Sequence, residues 1–187
     1  MTFTHDLSKH FFPAALIALL LTTRFHHFGD TVNLPDASLA VFFFAGFYRA
    51  SQSAKALLFG LLLALSGFID YLAIASGTSG WCVSPAYVFL VPTYAVMMWA
   101  GHYCASLTLA LRCAGLLIAT TLAFIISNGS FFLFSGRFAE MSWLDYSTAV
   151  SSYFLPYMGW TVMYALMGLL LAKWAKTGLV SVPKEWA

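Results

Sequence analysis

The stretch AKALLFGLLLALSGFIDYLAIAS, from Ala54 to Ser76, decides the fold. It is apolar along almost its whole length, and about 20 such residues are enough to cross the hydrocarbon core of a bilayer as a helix. The rest of the chain has the same character, with 61% hydrophobic and 9% charged residues among 187. A soluble domain carries about 25% charged residues. The composition therefore predicts one all-α transmembrane domain over residues 1–187, embedded in membrane lipid.

Five further apolar runs predict a bundle of six transmembrane helices. The expected helices are Phe11–Phe25, Leu34–Tyr48, Ala54–Ser76, Ala86–Trp99, Leu107–Ser127 and a last one that starts between Ser147 and Tyr153 and ends near Lys173. The second run is short for a full crossing. On the third helix, Gly60 and Ala64 are expected to pack against another helix, because small side chains allow two helices to approach closely.

The distribution of basic residues predicts that both termini face the cytoplasm. Cytoplasmic positions would hold Lys9, Arg49, Lys55, Lys173, Lys176 and Lys184, with Arg112 near the inner end of its helix. Only Arg24 and Arg137 would lie outside, in agreement with the positive-inside rule. In this N-in/C-in layout the first, third and fifth connections face outward and contain most of the polar residues. They predict a pocket that opens to the outside.

Two classes of protein are disfavoured by charge and by cysteine usage. A net charge of +2, spread along the chain, does not indicate a nucleic-acid partner. The three cysteines, Cys82, Cys104 and Cys113, form no CxxC pattern and leave at least one thiol unpaired. A disulfide framework is therefore not expected.

The third connection carries the most reactive side chain in a polar setting. Cys82 follows Trp81 in the segment TSGWCVSPAY over residues 78–87, and a thiolate in such a loop can bind a soft metal ion or act as a nucleophile. Asp70 lies inside the preceding apolar run, where an unpaired carboxylate costs several kcal/mol. We expect it to face a cavity, with Tyr71, Arg24 or Arg137 as its partner.

Other candidates have ordinary explanations beside functional ones. His26 and His27 lie at a helix–membrane boundary, where histidine can anchor the helix or face the pocket. An aromatic belt at the membrane interface accounts for most of the tryptophans and tyrosines, although Trp81 and Tyr87 flank the cysteine. On the first helix, Ala14 and Ala18 form a stripe of small residues, which by itself indicates only close helix packing.

Taken together, these features resemble a family of membrane proteins. The chain length, the six predicted helices, the N-in/C-in layout and the alanine stripe are similar to the substrate-binding S-components of energy-coupling-factor (ECF) vitamin transporters. The segment FFLFSGR over residues 131–137 is similar to one in bacterial S-component-like proteins. Within that group, Gly80-Trp81-Cys82 resembles the solitary, cobalamin-specific BtuM type from Gram-negative bacteria.

The resemblance implies uptake of cobalamin (vitamin B12) across the bacterial inner membrane. Cys82 would ligate the cobalt, and it would weaken the ligand on the opposite face and so assist decyanation. The residues then expected to line the corrin or hold its polar groups are His26, His27, Asp70, Tyr71, Trp81, Tyr87, Arg137 and Tyr153. Ala14 and Ala18 would dock a coupling subunit that works with ATPases, unless the protein acts alone. The sequence has no G-x-x-x-x-G-K-[ST] loop of its own.

Three alternatives stay open at this point. The chain could be an S-component for another vitamin or a metal ion, with Cys82 in a structural role. It could be an intramembrane enzyme that uses Cys82 or the histidines, such as a cysteine protease. It could also bind haem or another tetrapyrrole through His26, His27 or His102.

Overall fold

The described part of the chain is built from helices, which confirms the all-α class. The computed structural model describes residues 3–25 and 34–176, and within them the side chains of residues 11–24 and 34–171. The helices are α1 (Phe3–Phe25), α2 (Ser38–Ala45), α3 (Gln52–Ala75), α4 (Leu90–Cys104), α5 (Leu109–Phe134), α6 (Trp143–Ser151) and α7 (Phe154–Lys176). Two short 3-10 helices, Gly80–Cys82 and Pro85–Phe89, lie between α3 and α4.

Three helices are long and apolar enough to cross a membrane, as in a membrane protein. They are Gln52–Ala75, Leu109–Phe134 and the part of α7 over Phe154–Leu171. At 1.5 Å per residue, α3 is about 36 Å long, against a hydrocarbon core of about 30 Å. By the same measure the eight residues of α2 are about 12 Å long. Regular helix alone therefore does not provide a second crossing between Leu34 and Tyr48.

The fifth helix is longer than the sequence predicted, since α5 continues past Ser127 to Phe134. Its polar residues look like the start of a loop, but they bond to their own helix. Asn128 Nδ2 donates to the Phe124 carbonyl at 3.0 Å, and Ser130 Oγ donates to the Ser127 carbonyl at 2.9 Å. Such local bonds satisfy these side chains inside a helix.

The fifth connection also contains a helix of its own, α6. Ser142 caps its N-terminus, because Ser142 Oγ accepts a hydrogen bond from the Asp145 amide at 3.1 Å. The segment from Ser135 to Ser142 is therefore the only part of this predicted connection that lies outside α5 and α6 within the described residues.

Contacts between helix ends show that α3, α4 and α5 alternate in direction. Phe89, directly before α4, stacks on Phe134 at the end of α5, with ring centroids 4.9 Å apart. At the other end, Lys55 Nζ near the start of α3 lies 3.2 Å from His102 Nδ1 near the end of α4. We call the end with Phe89 and Phe134 the site end, and the end with Lys55 and His102 the opposite end.

Helix α2 lies in the core, where it packs closely against α4. All of its residues except Phe44 are buried, and Phe42 stacks on Tyr94 with centroids 4.2 Å apart. Two glycines permit this approach. A Cβ atom built on Gly101 would lie 1.9 Å from the Phe43 carbonyl oxygen, and one built on Gly46 would lie 2.2 Å from the Met98 carbonyl oxygen. Neither position has room for a side chain.

Two small residues on α3, which were predicted from the sequence to pack against another helix, lie on the surface. Gly60 and Ala64 are both exposed, and a Cβ atom on Gly60 would meet nothing within 4 Å. The prediction that they pack against another helix is wrong. Small residues four positions apart share one helix face, but their spacing does not say whether that face meets protein or lipid.

Replacing Gly101 should destabilise the protein, and replacing Gly60 should not. For Gly101→Ala we expect a loss of at least about 1–3 kcal/mol, the usual cost of overpacking, because backbone of α2 and α4 must separate. Gly60→Ala adds a methyl group in open space and should be neutral or stabilising by up to about 1 kcal/mol. Thermal unfolding of both variants in the same detergent measures this difference, and equal melting temperatures would contradict it.

Candidate functional site

A buried ion pair stands at the centre of the site end. Arg24, at the end of α1, donates from Nε to Asp70 Oδ1 at 2.8 Å and from Nη2 to Asp70 Oδ2 at 2.6 Å. Arg24 is 6% exposed and Asp70 is 7% exposed. This two-pronged geometry matches the planar guanidinium to both carboxylate oxygens. It confirms that Asp70 has a partner and selects Arg24 among the three expected.

The remaining nitrogen of Arg24 contacts three more side chains, one on α2, one on α4 and one in the segment before α2. Nη1 donates to Tyr94 Oη at 2.8 Å, to Ser38 Oγ at 2.9 Å and to Asp36 Oδ2 at 3.3 Å. The Ser38 hydroxyl in turn donates to Asp36 Oδ1 at 2.6 Å. Every nitrogen of the guanidinium thus has an acceptor, as burial of such a group requires.

Tyr87 joins this network to the connection that carries Cys82. Its hydroxyl donates to Asp70 Oδ2 at 2.5 Å. Burial and then the bond to the Asp70 carboxylate raise the pKa of the Tyr87 phenol above its ordinary value of 10. The phenol therefore stays protonated and remains a donor at neutral pH. We call the six residues Arg24, Asp36, Ser38, Asp70, Tyr87 and Tyr94 the Arg24 cluster.

The cluster contains two carboxylates and one guanidinium. A backbone amide stabilises the charge of the second carboxylate, that of Asp36. Asp36 lies directly before α2, and its Oδ1 accepts from the Ser38 amide at 2.9 Å. Amide groups at a helix N-terminus favour a negative charge. Asp36 is also the more solvated acid, since its side chain is 27% exposed against 10% for Asp70.

Cys82 lies in the connection between α3 and α4, and it is exposed. It closes the 3-10 helix Gly80–Cys82, which Ser79 caps by accepting from the Trp81 amide at 3.3 Å. Trp81 is half exposed, and the Arg137 guanidinium lies over its ring at 4.0 Å from the centroid. This cation–π contact brings together the third and fifth connections at Trp81, the residue before Cys82 in the chain.

The fifth connection is held by an aromatic cluster at the ends of α5 and α6. Its rings are those of Phe131, Phe132, Phe138, Trp143 and Tyr146. Tyr146 Oη donates to the Asn128 carbonyl at 3.0 Å, and burial raises the pKa of this phenol. Next to the cluster is an open depression of about 470 Å³, lined by Arg137, Phe138, Glu140, Met141 and Asp145.

The remaining predicted site residues are spread over several surfaces. Tyr71 and Tyr153 are each 67% exposed, Tyr71 on α3 and Tyr153 directly before α7. Ala14 and Ala18 lie on an exposed face of α1. His26 and His27 lie outside the described residues. The structure thus joins Asp70 with Tyr87, and Trp81 with Arg137, in two separate sets of contacts.

Metal-binding side chains do not cluster in the described part of the chain. No group of three His, Cys, Asp or Glu residues suited to hold an ion occurs there. His102, one of the three histidines considered as a haem ligand, lies at the opposite end beside Lys55. Cys82 and His102 are thus at different ends of the bundle.

Sequence reasoning missed three members of the Arg24 cluster. Asp36 was available as an acid at the start of an apolar run, where it could have been paired with a basic residue. Ser38 and Tyr94 carry no such signal, because a hydroxyl inside an apolar run is also common in helices that bond to their own backbone.

No protein-family model matches the chain, and no curated protein matches it.

Breaking the ion pair should unfold the site end. Arg24→Gln leaves Asp70 buried without its counter-charge, and losing one partner of a buried pair costs roughly 3–5 kcal/mol. Arg137→Gln is the matched control, because it removes the same charge from an exposed contact that is worth about 0.5–1 kcal/mol. Chemical or thermal unfolding in detergent compares the two. Equal stability losses would show that the Arg24 pair is not the stronger constraint.

Removing the Tyr87 hydroxyl should loosen the cysteine connection without unfolding the bundle. In Tyr87→Phe, Asp70 keeps both hydrogen bonds from Arg24. It loses the hydrogen bond that joins it to the 3-10 helix Pro85–Phe89. A nitroxide label on Cys82, in a background with Cys104→Ala and Cys113→Ala, should show a more mobile electron spin resonance spectrum. The control is Tyr71→Phe, which changes an exposed ring. Unchanged mobility in Tyr87→Phe would contradict the role given to this bond.

Proposed function

We propose that this chain binds cobalamin at the site end and carries it across the bacterial inner membrane, with Cys82 as the axial ligand of the cobalt. The observation that carries the proposal is the exposed thiol of Cys82, the residue that directly follows Trp81, whose ring contacts Arg137. A single thiol suits this ligand, because the corrin ring would supply all four in-plane ligands and Cys82 would replace the ligand at one axial position. Thiolate is also a ligand type that transition metals accept readily.

The surroundings of Cys82 offer the contacts that a corrin needs. Trp81 presents an exposed ring that can lie against an apolar face, and Arg137 and Glu140 can bond to amide groups at the rim. Tyr87 belongs to the same connection between α3 and α4 and is half-buried. Tyr153 is exposed in the turn between α6 and α7. His26 and His27, in the first connection, complete the proposed binding set.

The proposed topology has six crossings with both termini in the cytoplasm, which puts the site end outside. Charge distribution supports this orientation. The acidic residues with described side chains, Asp36, Asp70, Glu140 and Asp145, all belong to the site end. The exposed Arg49 and the half-buried Lys55 belong to the opposite end. Basic residues accumulate on the cytoplasmic side of membrane proteins.

Transport would use either a coupling subunit or the chain alone. The exposed faces of Ala14 and Ala18 on α1 leave room for another helix to approach closely, which supports docking of an ECF coupling subunit that works with ATPases.

Coordination by Cys82 would also assist removal of cyanide from cyanocobalamin. The Cys82 thiol would lose its proton and its sulfur would replace the nucleotide base on one face of the cobalt, and the added electron density would weaken the bond on the opposite face. The cobalt–carbon bond then breaks, cyanide leaves with the bonding electron pair and takes up a proton, and the cobalt keeps its oxidation state. No reductant is needed for this step.

Cobalt content and absorption spectra of the purified protein test the proposal. Protein from cells supplied with cyanocobalamin should hold about one cobalt per chain, with a corrin spectrum altered by sulfur ligation. Cys82→Ser should lower the affinity by more than about tenfold and abolish the spectral change, since loss of even an outer-shell partner of a metal site costs 10–100-fold. Cys113→Ser, a half-buried thiol on α5, is the control. Unchanged cobalt content and spectrum in Cys82→Ser would refute the role of Cys82.

A further inference from the structure

Basic side chains gather at the opposite end of the bundle, away from the Arg24 cluster. Arg49 lies between α2 and α3, Lys55 near the start of α3, His102 near the end of α4 and Arg112 near the start of α5. Among the described side chains, no acidic residue belongs to this end. The positive charge here therefore has no described carboxylate to offset it.

Lys55 and His102 differ from Arg112 in what they contact. The Arg112 guanidinium donates to the backbone carbonyls of Leu107 and Ala105, each at 2.8 Å, and so closes the turn between α4 and α5. Lys55 Nζ and His102 Nδ1 instead meet each other at 3.2 Å, and His102 is exposed. Because an ammonium group can only donate, Lys55 Nζ donates to His102 Nδ1, which leaves the other N–H groups of Lys55 and the Nε2–H of His102 to donate to an anion.

The length of α3 and the neighbouring aromatic rings indicate that these groups would lie at the depth of lipid headgroups. Lys55 is the fourth residue of α3, a helix somewhat longer than the hydrocarbon core is thick. Trp99 and Tyr103 lie near the end of α4, at this same end of the bundle. They are 66% and 60% exposed, and their rings meet edge to face with centroids 5.4 Å apart. Aromatic rings of this kind mark the membrane interface.

We propose that Lys55 and His102 bind the phosphate of an anionic phospholipid, with Arg49 as a further cation nearby. Charge complementarity favours this occupant, because the pair is basic, lacks a described carboxylate and lies where lipid phosphates are found. A negatively charged leaflet attracts basic residues near its surface by about 1 kcal/mol each. The proposal is independent of cobalamin and of Cys82.

Lipid binding to the full-length protein, measured by native mass spectrometry in detergent, tests this site. The wild type should retain phosphatidylglycerol in preference to phosphatidylcholine. Lys55→Gln should weaken phosphatidylglycerol binding about fivefold, the value that corresponds to one such charge. Lys55→Arg keeps the charge and should bind as the wild type does. Lys55→Gln combined with His102→Gln should lose most of the preference, since only Arg49 of the proposed site remains.

The result that overturns the proposal is equal retention of phosphatidylglycerol by the wild type and the double variant. Equal binding of the two lipids by the wild type would overturn it as well. Size-exclusion profiles of each variant report whether it folds. If the double variant does not fold, Arg49→Gln provides a second measurement, since loss of this exposed cation should also reduce phosphatidylglycerol binding, and unchanged binding would count against the site.

Discussion

The pairing of Arg24 with Asp70 is the constraint on which the site end depends. An arginine that is buried inside a bundle must have all its nitrogens satisfied by protein acceptors, because an unpaired buried charge is costly. Here the acceptors come from α3, from the start of α2 and from α4. The guanidinium has a fixed planar fork, so these helices must approach it from set directions. One side chain thereby fixes the relative positions of four helix ends.

The same network explains how an exposed connection can be placed accurately. Tyr87 is bonded to Asp70 and lies five residues after Cys82 in the chain. The 3-10 helix that contains Tyr87 is thus tied to the buried cluster, whereas the one that contains Cys82 is exposed. Binding residues are often carried on loops that a rigid scaffold positions. In this chain the scaffold is polar, and the segment between Gly77 and Ser84 is the loop that it supports.

The sequence was sufficient for the helical class and for Asp70, but it did not define the packing. Asp70 is conspicuous because a carboxylate in an apolar run needs a partner. Gly46 and Gly101 are not conspicuous, since their role comes from the close approach of two helices whose contact residues are far apart in sequence. Gly60 and Ala64 were predicted to pack but are exposed, because helical spacing alone cannot distinguish an exposed stripe from a buried one. The end of α5 was missed because Asn128 bonds within its own helix.

The difference in strength between the two sets of contacts indicates which of them separates more easily. Separating Arg24 from Asp70 would cost roughly 3–5 kcal/mol, whereas lifting Arg137 from Trp81 would cost about 0.5–1 kcal/mol. The weaker contact joins the fifth connection to the third, which contains Cys82. Opening there exposes both faces of Trp81 and leaves the helices in place. Access to both faces of the Trp81 ring therefore requires movement of these two connections only, whereas the Cys82 thiol is already exposed.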